Sequence, residues 1–153
     1  MTVNFDAPGA ACGCGNVGCI EAFASGPAVE RRARGMIGGR ETLLAGLCGG
    51  EADSLTMEMV GEAAKGGDAL ALDLVREMGR TLGIWLGGVV NLLDPEIIVI
   101  GGGVASTGEP LFRSIRESTL EHTLNPYAAE IPVVPAELGR MAGIYGGAAL
   151  FLS

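Results

Sequence analysis

The chain has 153 residues, of which 48% are hydrophobic and only 5% aromatic, and its net charge is −8. This length suffices for one domain, and the composition predicts an aliphatic core. The negative charge argues against binding of nucleic acid through this segment, since the phosphates would be repelled. The 26 glycines follow no Gly-x-y period, which excludes a collagen-like protein.

Neither secretion nor membrane insertion is indicated. The first residues, MTVNFDAPG, lack the basic region and apolar core of a signal peptide. The longest apolar-rich run, 82–93, is too short for a bilayer span, which takes about 20 residues. We therefore expect a cytoplasmic chain with no membrane partner. In that reducing setting, closely spaced cysteines bind metal more often than they form disulfides.

The first third of the chain predicts a loop followed by short helices. Residues 1–19 are punctuated by glycine and proline and are predicted to be a loop. Residues 20–36 are predicted to be helical with a bend near Gly26 and Pro27, because proline interrupts a helix. A further short helix is predicted over 40–48.

Two more helices follow, and both have candidate N-caps. Ser54 or Thr56 is placed to cap the helix with the sequence MEMVGEAAK. Asp68 is predicted to cap a long helix that reaches about Leu93.

The long helix carries Gly79, Gly83 and Gly87, four residues apart and hence on one face. Each glycine costs up to about 1 kcal/mol relative to alanine in a helix interior, so a compensating contact is expected. We predict the close approach of another backbone. A membrane glycine zipper is the alternative, but charged residues on the same helix argue against it.

The last third alternates strands and helices. The run 96–104, EIIVIGGGV, predicts a strand buried on both faces, and 130–136 predicts a second strand near a sheet edge. Between them lies an amphipathic helix with Leu111, Ile115 and Leu120 on one side, and a small-residue helix closes the chain. The fold class indicated is α/β.

Three cysteines, Cys12, Cys14 and Cys19, follow a C-x-C-x4-C spacing in a glycine-rich loop. Their thiolates suit zinc, and the glycines let a loop wrap around an ion. The alternative is three free thiols in a glycine-rich loop. No fourth ligand is obvious, because Cys48 is distant in sequence and His122 is predicted to be an exposed residue of an amphipathic helix.

Two further features are ambiguous when taken singly. In IGGGV, 100–104, a strand runs directly into three glycines. This pattern is typical of loops whose backbone amides approach a phosphate closely. A tight turn from a strand to a helix would give the same pattern. The motif is neither a Walker A loop nor a G-x-G-x-x-G fingerprint. Glu21 comes two residues after Cys19 and could bind a ligand, or it could simply favour the first turn of a helix.

Taken together, CGCGNVGCIE with the following SG, DPEIIVIGGGV, and the final AGIYGGAAL resemble the ROK family, which groups bacterial sugar kinases with sugar-responsive repressors. The resemblance covers the whole chain. It implies an actin-like, ribonuclease-H-like α/β fold, with residues 1–153 as an incomplete C-terminal lobe. The zinc loop would be 9–21 and the nucleotide-loop region 96–104.

The resemblance also implies roles for individual residues. The family's zinc takes three cysteines and one histidine from a segment upstream of the cysteine loop, so Met1 is interpreted as an internal methionine of a longer protein. Glu21 would bind sugar hydroxyls. The metal ligands would be Cys12, Cys14 and Cys19. The nucleotide-binding residues would be Gly101, Gly102, Gly103 and Val104.

The function implied is that of an ATP-dependent hexose kinase of the glucokinase kind, using Mg²⁺ with ATP, a structural Zn²⁺, and forming a homodimer. The family's Asp-x-Gly-Gly-Thr segment and catalytic aspartate have no match in this chain, so no catalytic residue is assigned and the isolated chain is expected to be inactive. Two alternatives remain: the sugar-sensing part of a ROK repressor, and a stand-alone partner module.

Overall fold

A computed structural model describes residues 1–4, 6–7 and 9–151. Seven helices and two strands form in the described residues, joined by loops and short 3₁₀ turns. In chain order they are α1 Ile20–Ala24, α2 Gly26–Met36, α3 Leu43–Leu47, α4 Met57–Lys65, α5 Ala69–Leu93, β1 Ile98–Ile100, α6 Glu109–Glu121, β2 Val133–Pro135 and α7 Ala142–Ala149.

The predicted helix starts are confirmed where a side chain caps the backbone. The helical stretch 20–36 is broken at Ser25, whose hydroxyl accepts the N–H of Ala28 at 3.3 Å. Thr56, and not Ser54, caps α4 by accepting the N–H of Met59. Each of these oxygens satisfies a backbone donor that has no partner inside its helix.

Gly79, Gly83 and Gly87 of α5 lie against α6, which is the closely approaching backbone that their spacing predicted. A Cβ atom at Gly83 would lie 2.6 Å from the carbonyl oxygen of Ile115, and one at Gly87 would lie 2.7 Å from that of His122. Any side chain would therefore clash with the backbone of α6. The absence of side chains lets the two helices approach closely, and this compensates for the low helix propensity of glycine.

The apolar face of α6 differs from the predicted one in one position. Leu111 and Ile115 are fully buried, but Leu120 is 46% exposed. Leu120 follows Ile115 by five residues, which rotates it away from the row formed by positions three and four apart. Ser118 and Thr119 occupy the buried positions instead.

The sheet consists of β1 and β2 in parallel, with Ile98 opposite Val133. The prediction that the first strand is buried on both faces is wrong. Ile98 is buried, whereas Val99 is 55% exposed, because alternate side chains point to opposite faces and only one face meets the core. The core joins this face to the buried faces of helices α2 to α6, with β2 packed on α6.

The closing helix α7 forms as predicted but contributes no buried residue. Its apolar side chains, including Ile144 and Tyr145, are exposed, as is Phe151 just beyond it. In the part of the chain described, no helix is both long enough and apolar enough to cross a membrane.

Candidate metal centre and glycine loop

The cysteine loop is shaped by two short antiparallel pairings, Ala11 with Val17 and Thr2 with Cys19. Between them the chain turns tightly: the N–H of Cys12 donates to the carbonyl of Asn16 at 2.9 Å, and the N–H of Gly15 donates back to Cys12 at 3.0 Å. The result is a hairpin-like turn with Cys12 on its first arm and Cys14 within the turn, and Cys19 follows its second arm by two residues.

Gly18 is required where the loop meets the first residues of the chain. Its φ is +75°, and a Cβ atom there would lie only 1.7 Å from the carbonyl oxygen of Asn4. The N–H of Val3 donates to the carbonyl of Gly18 at 2.8 Å, which holds the two segments together. No other residue can occupy this position without moving the backbone.

The sulfur atoms of Cys12, Cys14 and Cys19 lie within 4.8 Å of one another, and those of Cys14 and Cys19 are 3.7 Å apart. All three are free thiols. A zinc ion bound to tetrahedral sulfurs at about 2.3 Å places the sulfurs about 3.8 Å from each other. The predicted ligands are therefore brought together closely enough that they could hold a metal ion, and the Cys14–Cys19 distance matches the spacing around zinc.

The thiol of Cys14 has a pKa below the ordinary value of a cysteine. The backbone N–H of Asn16, and then the side chains of Cys12 and Cys19, lower the pKa of Cys14 to about 7. A thiol of this kind exists partly as thiolate at neutral pH, and the thiolate is the form that binds metal.

No fourth ligand joins the cluster within residues 1–4, 6–7 and 9–151. Cys48 is buried in the core, where its thiol donates to the carbonyl of Ala45. His122 is exposed at the end of α6, with Nδ1 2.8 Å from the carbonyl oxygen of Ser118. The exposed position predicted for His122 is thus observed.

Glu21 lies in the first turn of α1, beside the cysteine cluster. The thiol of Cys12 donates to Oε2 of Glu21 at 3.3 Å. The backbone N–H of Cys14 is the largest influence on the pKa of Cys12 and lowers it. The hydrogen bonds with the side chains of Cys14, Glu21 and Cys19, together with partial desolvation, outweigh that effect and raise the pKa to about 11. Replacement of the Cys12 proton by a metal ion would leave this carboxylate oxygen free to accept from another donor.

The glycine loop begins where β1 ends, at the carboxyl end of the parallel strand pair. Gly101, Gly102 and Gly103 are all exposed, and Gly102 has a φ of +79°. Val104 is half-buried and packs against the core. In α/β sheets, ligands commonly bind just outside the carboxyl ends of the strands, and this is the place where the loop lies.

The cysteine cluster and the glycine loop rest on different elements. Helix α1, which carries Glu21, packs on α2 and α5, whereas the 3₁₀ turn Gly103–Thr107 packs on α4. Sequence reasoning did not identify the residues that brace this turn. The hydroxyls of Ser106 and Thr107 donate to the carbonyls of Gly103 and Val104, both at 2.7 Å. A Ser-Thr pair after a glycine loop was the available signal.

Comparison with known proteins places the chain in a family. Residues 1–153 match the model of the ROK family. A ROK family glucokinase from Streptomyces griseus, solved in complex with glucose and AMPPNP, is 34% identical in sequence. The match covers 98% of this chain and 49% of that one, with a TM-score of 0.86.

Curated relatives include both enzymes and regulators. The glucokinase of Thermotoga maritima is 31% identical over 142 residues, which is 93% of this chain and 45% of the relative. The Escherichia coli DNA-binding transcriptional dual regulator NagC is 30% identical over 137 residues, which is 89% of this chain and 32% of the relative.

The fold is thus that of the ROK sugar kinases, which share the actin-like ATPase architecture, and the predicted α/β class is confirmed at that level. The chain belongs to the ROK family. It corresponds to the C-terminal half of the ROK glucokinases and spans about half the length of the curated relatives it matches. Bound zinc and the roles of the individual residues remain predictions.

Proposed function

We propose that the chain is the C-terminal part of an ATP-dependent hexose kinase of the glucokinase kind. The observation that supports this most is the match of 98% of the chain, at a TM-score of 0.86, to a kinase solved with glucose and AMPPNP. Such enzymes transfer a phosphoryl group mainly by orienting ATP, Mg²⁺ and the sugar and by neutralising charge.

Glu21 is proposed to bind the sugar. A carboxylate accepts hydrogen bonds from two adjacent hydroxyls, and these charge-assisted bonds are stronger than neutral ones. Glu21 is exposed, while the neighbouring cysteine loop is fixed by its own backbone hydrogen bonds. A ligand can therefore reach a carboxylate whose position is well defined.

The nucleotide is proposed to bind at Gly101, Gly102 and Gly103, and Val104 is proposed to anchor this loop to the core. These glycines are exposed at a strand end and have no side chain to block close approach of a phosphate to the backbone. ATP would enter with Mg²⁺, which neutralises the charge of the phosphates.

Cys12, Cys14 and Cys19 are proposed to hold a structural zinc ion, with a fourth ligand from outside the cluster. The ion would supply a rigid, cross-linked loop beside Glu21. It would not take part in phosphoryl transfer.

A second candidate function is sugar sensing within a transcriptional repressor. The match to the NagC regulator, at 30% identity over 89% of this chain, favours it specifically. A sensor needs the sugar site and the cysteine loop, but it does not need the glycine loop to bind a nucleotide.

Titration of the ¹⁵N-labelled chain by NMR tests the proposal and separates the two candidates. For a kinase part, glucose shifts the amides around Glu21, and Mg²⁺ with AMPPNP shifts those of Gly101–Gly103. For a sensor part, glucose or N-acetylglucosamine shifts the first set and AMPPNP leaves the second unchanged. If no sugar shifts the amides near Glu21, both candidates are overturned.

A further inference from the structure

Lys65, the last residue of α4, is the only lysine in the chain. Its Nζ donates to the carbonyl oxygen of Ser106 at 2.9 Å, across 41 positions of sequence. The side chain also passes close to Gly108, where a Cβ atom would lie 3.7 Å from Cε of Lys65. Lys65 therefore spans the end of the 3₁₀ turn that follows the glycine loop.

A second contact joins the same turn to the middle of α4. Gly61 packs on Thr107, since a Cβ atom at Gly61 would lie 3.5 Å from Cα of Thr107, at ordinary van der Waals distance. Thr107 is itself buried. The turn Gly103–Thr107 is thus attached to α4 at two points one helical turn apart, one by packing and one by the Lys65 ammonium.

The 3₁₀ turn Gly103–Thr107 also holds the glycine loop in place. Ser106, whose carbonyl accepts from Lys65, donates its hydroxyl to the carbonyl of Gly103, and the N–H of Ala105 donates to Gly102. A connected series of hydrogen bonds therefore runs from α4 to the exposed glycine loop.

We propose that Lys65 is a positioning residue for nucleotide binding, which it serves by fixing Ser106 and, through Ser106, the conformation of Gly101–Gly103. This inference rests on the proposed function, since it gives the loop a nucleotide to bind. A loop that is already fixed before the nucleotide binds loses less conformational entropy on binding.

Direct contact between Lys65 and a phosphate is the less favoured role. The cleft beside the ammonium, of about 280 Å³, is lined by Glu58 and Glu62 as well as by Lys65, Gly61 and Ser106. Two carboxylates repel an anion from this cleft. A further alternative is that the Lys65 ammonium only interacts favourably with the C-terminal end of the α4 dipole. In that case, replacing Lys65 would not affect the glycine loop.

The test uses the 153-residue chain and two readouts, amide hydrogen exchange at 102–108 and the dissociation constant of Mg²⁺-AMPPNP. Lys65→Met keeps the length of the side chain but removes the donor, and Lys65→Arg restores a donor. Arg80→Met is the matched control, because it removes one positive charge from an exposed position of α5.

For Lys65→Met we expect exchange at 102–108 and the AMPPNP dissociation constant each to rise about three- to tenfold, as for the loss of one hydrogen bond. The melting temperature should fall by no more than about 4 °C, Lys65→Arg should recover most of the effect on both readouts, and Arg80→Met should change neither readout. Unchanged exchange in Lys65→Met would overturn the proposal. If exchange rises but AMPPNP binds neither protein, Lys65 does fix the loop and the proposed kinase function is the part that fails.

Discussion

The carboxylate of Asp68 joins the start of α5 to the start of α3, because its Oδ2 accepts the backbone N–H of Leu43 at 2.8 Å. The same side chain caps α5 through Ala71 at 2.8 Å and accepts the hydroxyl of Thr42 at 2.9 Å. One side chain thus satisfies donors at two helix ends that lie 25 residues apart in sequence. Burial raises the pKa of Asp68, but these hydrogen bonds outweigh burial and lower it below its ordinary value of 3.8.

Asp68→Asn should lower the free energy of unfolding by about 1 to 2 kcal/mol at pH 7, because the amide can accept at one helix end but presents donors to the other. A lowered pKa means that the wild-type contribution is complete above the unfolded pKa and is lost as the pH falls through the folded one. The difference between wild type and variant should therefore shrink below about pH 4. Denaturant unfolding at several pH values measures this, with the exposed Asp73→Asn as control. A difference that does not depend on pH would contradict the assigned cause.

Gly83→Ala should destabilise the protein by about 1 to 3 kcal/mol, although alanine is the better helix former. The new Cβ atom would lie 2.6 Å from both the carbonyl oxygen of Ile115 and Cβ of Ser118. Gly88→Ala is the matched control, since Gly88 is in the same helix and a Cβ atom there would have nothing within 4 Å. This variant should raise the free energy of unfolding by up to about 1 kcal/mol. Thermal unfolding compares the two, and equal effects would exclude the close approach of α6.

Gly79, Gly83 and Gly87 also show what the sequence could and could not predict. Their four-residue spacing indicated a close contact, because side chains four apart share a helix face, and the N-cap signals located the helix starts. The burial of β1 was predicted wrongly, since a run of β-branched residues does not tell which face meets a helix. The bond between Lys65 and Ser106 joins residues far apart in sequence and leaves no local pattern.

The site was predictable to a similar extent. The spacing of Cys12, Cys14 and Cys19 was sufficient to indicate that they meet, because the loop is short. The hydrogen bond between Cys12 and Glu21 depends on the angle at which α1 leaves the loop, and that angle is set by packing on α5.

About one zinc ion per chain is expected in protein purified without chelators. It should be lost on dialysis more readily than from a complete four-ligand site, because one protein ligand is missing from the cluster. Cys14→Ser should abolish binding, whereas Cys48→Ala should leave it unchanged, since Cys48 lies in the core. Metal analysis with thiol titration is the measurement. Three freely titrating thiols in the loop and no zinc in fresh protein would refute the metal site.

The isolated chain should not phosphorylate glucose. It spans about half the length of its glucokinase relatives, and the family resemblance assigns the catalytic base to no aspartate of this chain. Loss of a general base alone typically slows a reaction about 10²- to 10⁴-fold. A coupled assay for ADP release checks this in the purified chain, and robust turnover would mean that a base exists among its own residues.

Glu21→Gln should weaken the binding of glucose by the chain roughly ten- to a hundredfold and leave that of Mg²⁺-AMPPNP unchanged. Glutamine keeps the size of the side chain but replaces one acceptor by a donor and removes the charge, so one of two adjacent sugar hydroxyls loses its partner. The glycine loop packs on α4 rather than on α1, so nucleotide binding should not respond. If Glu21 serves only the helix dipole, the variant loses under about 1 kcal/mol of stability and binds glucose as before. Titration calorimetry with both ligands, together with the melting temperature, distinguishes these cases. Glu51→Gln, the same change at another exposed glutamate, controls for the loss of charge and should bind both ligands like the wild type.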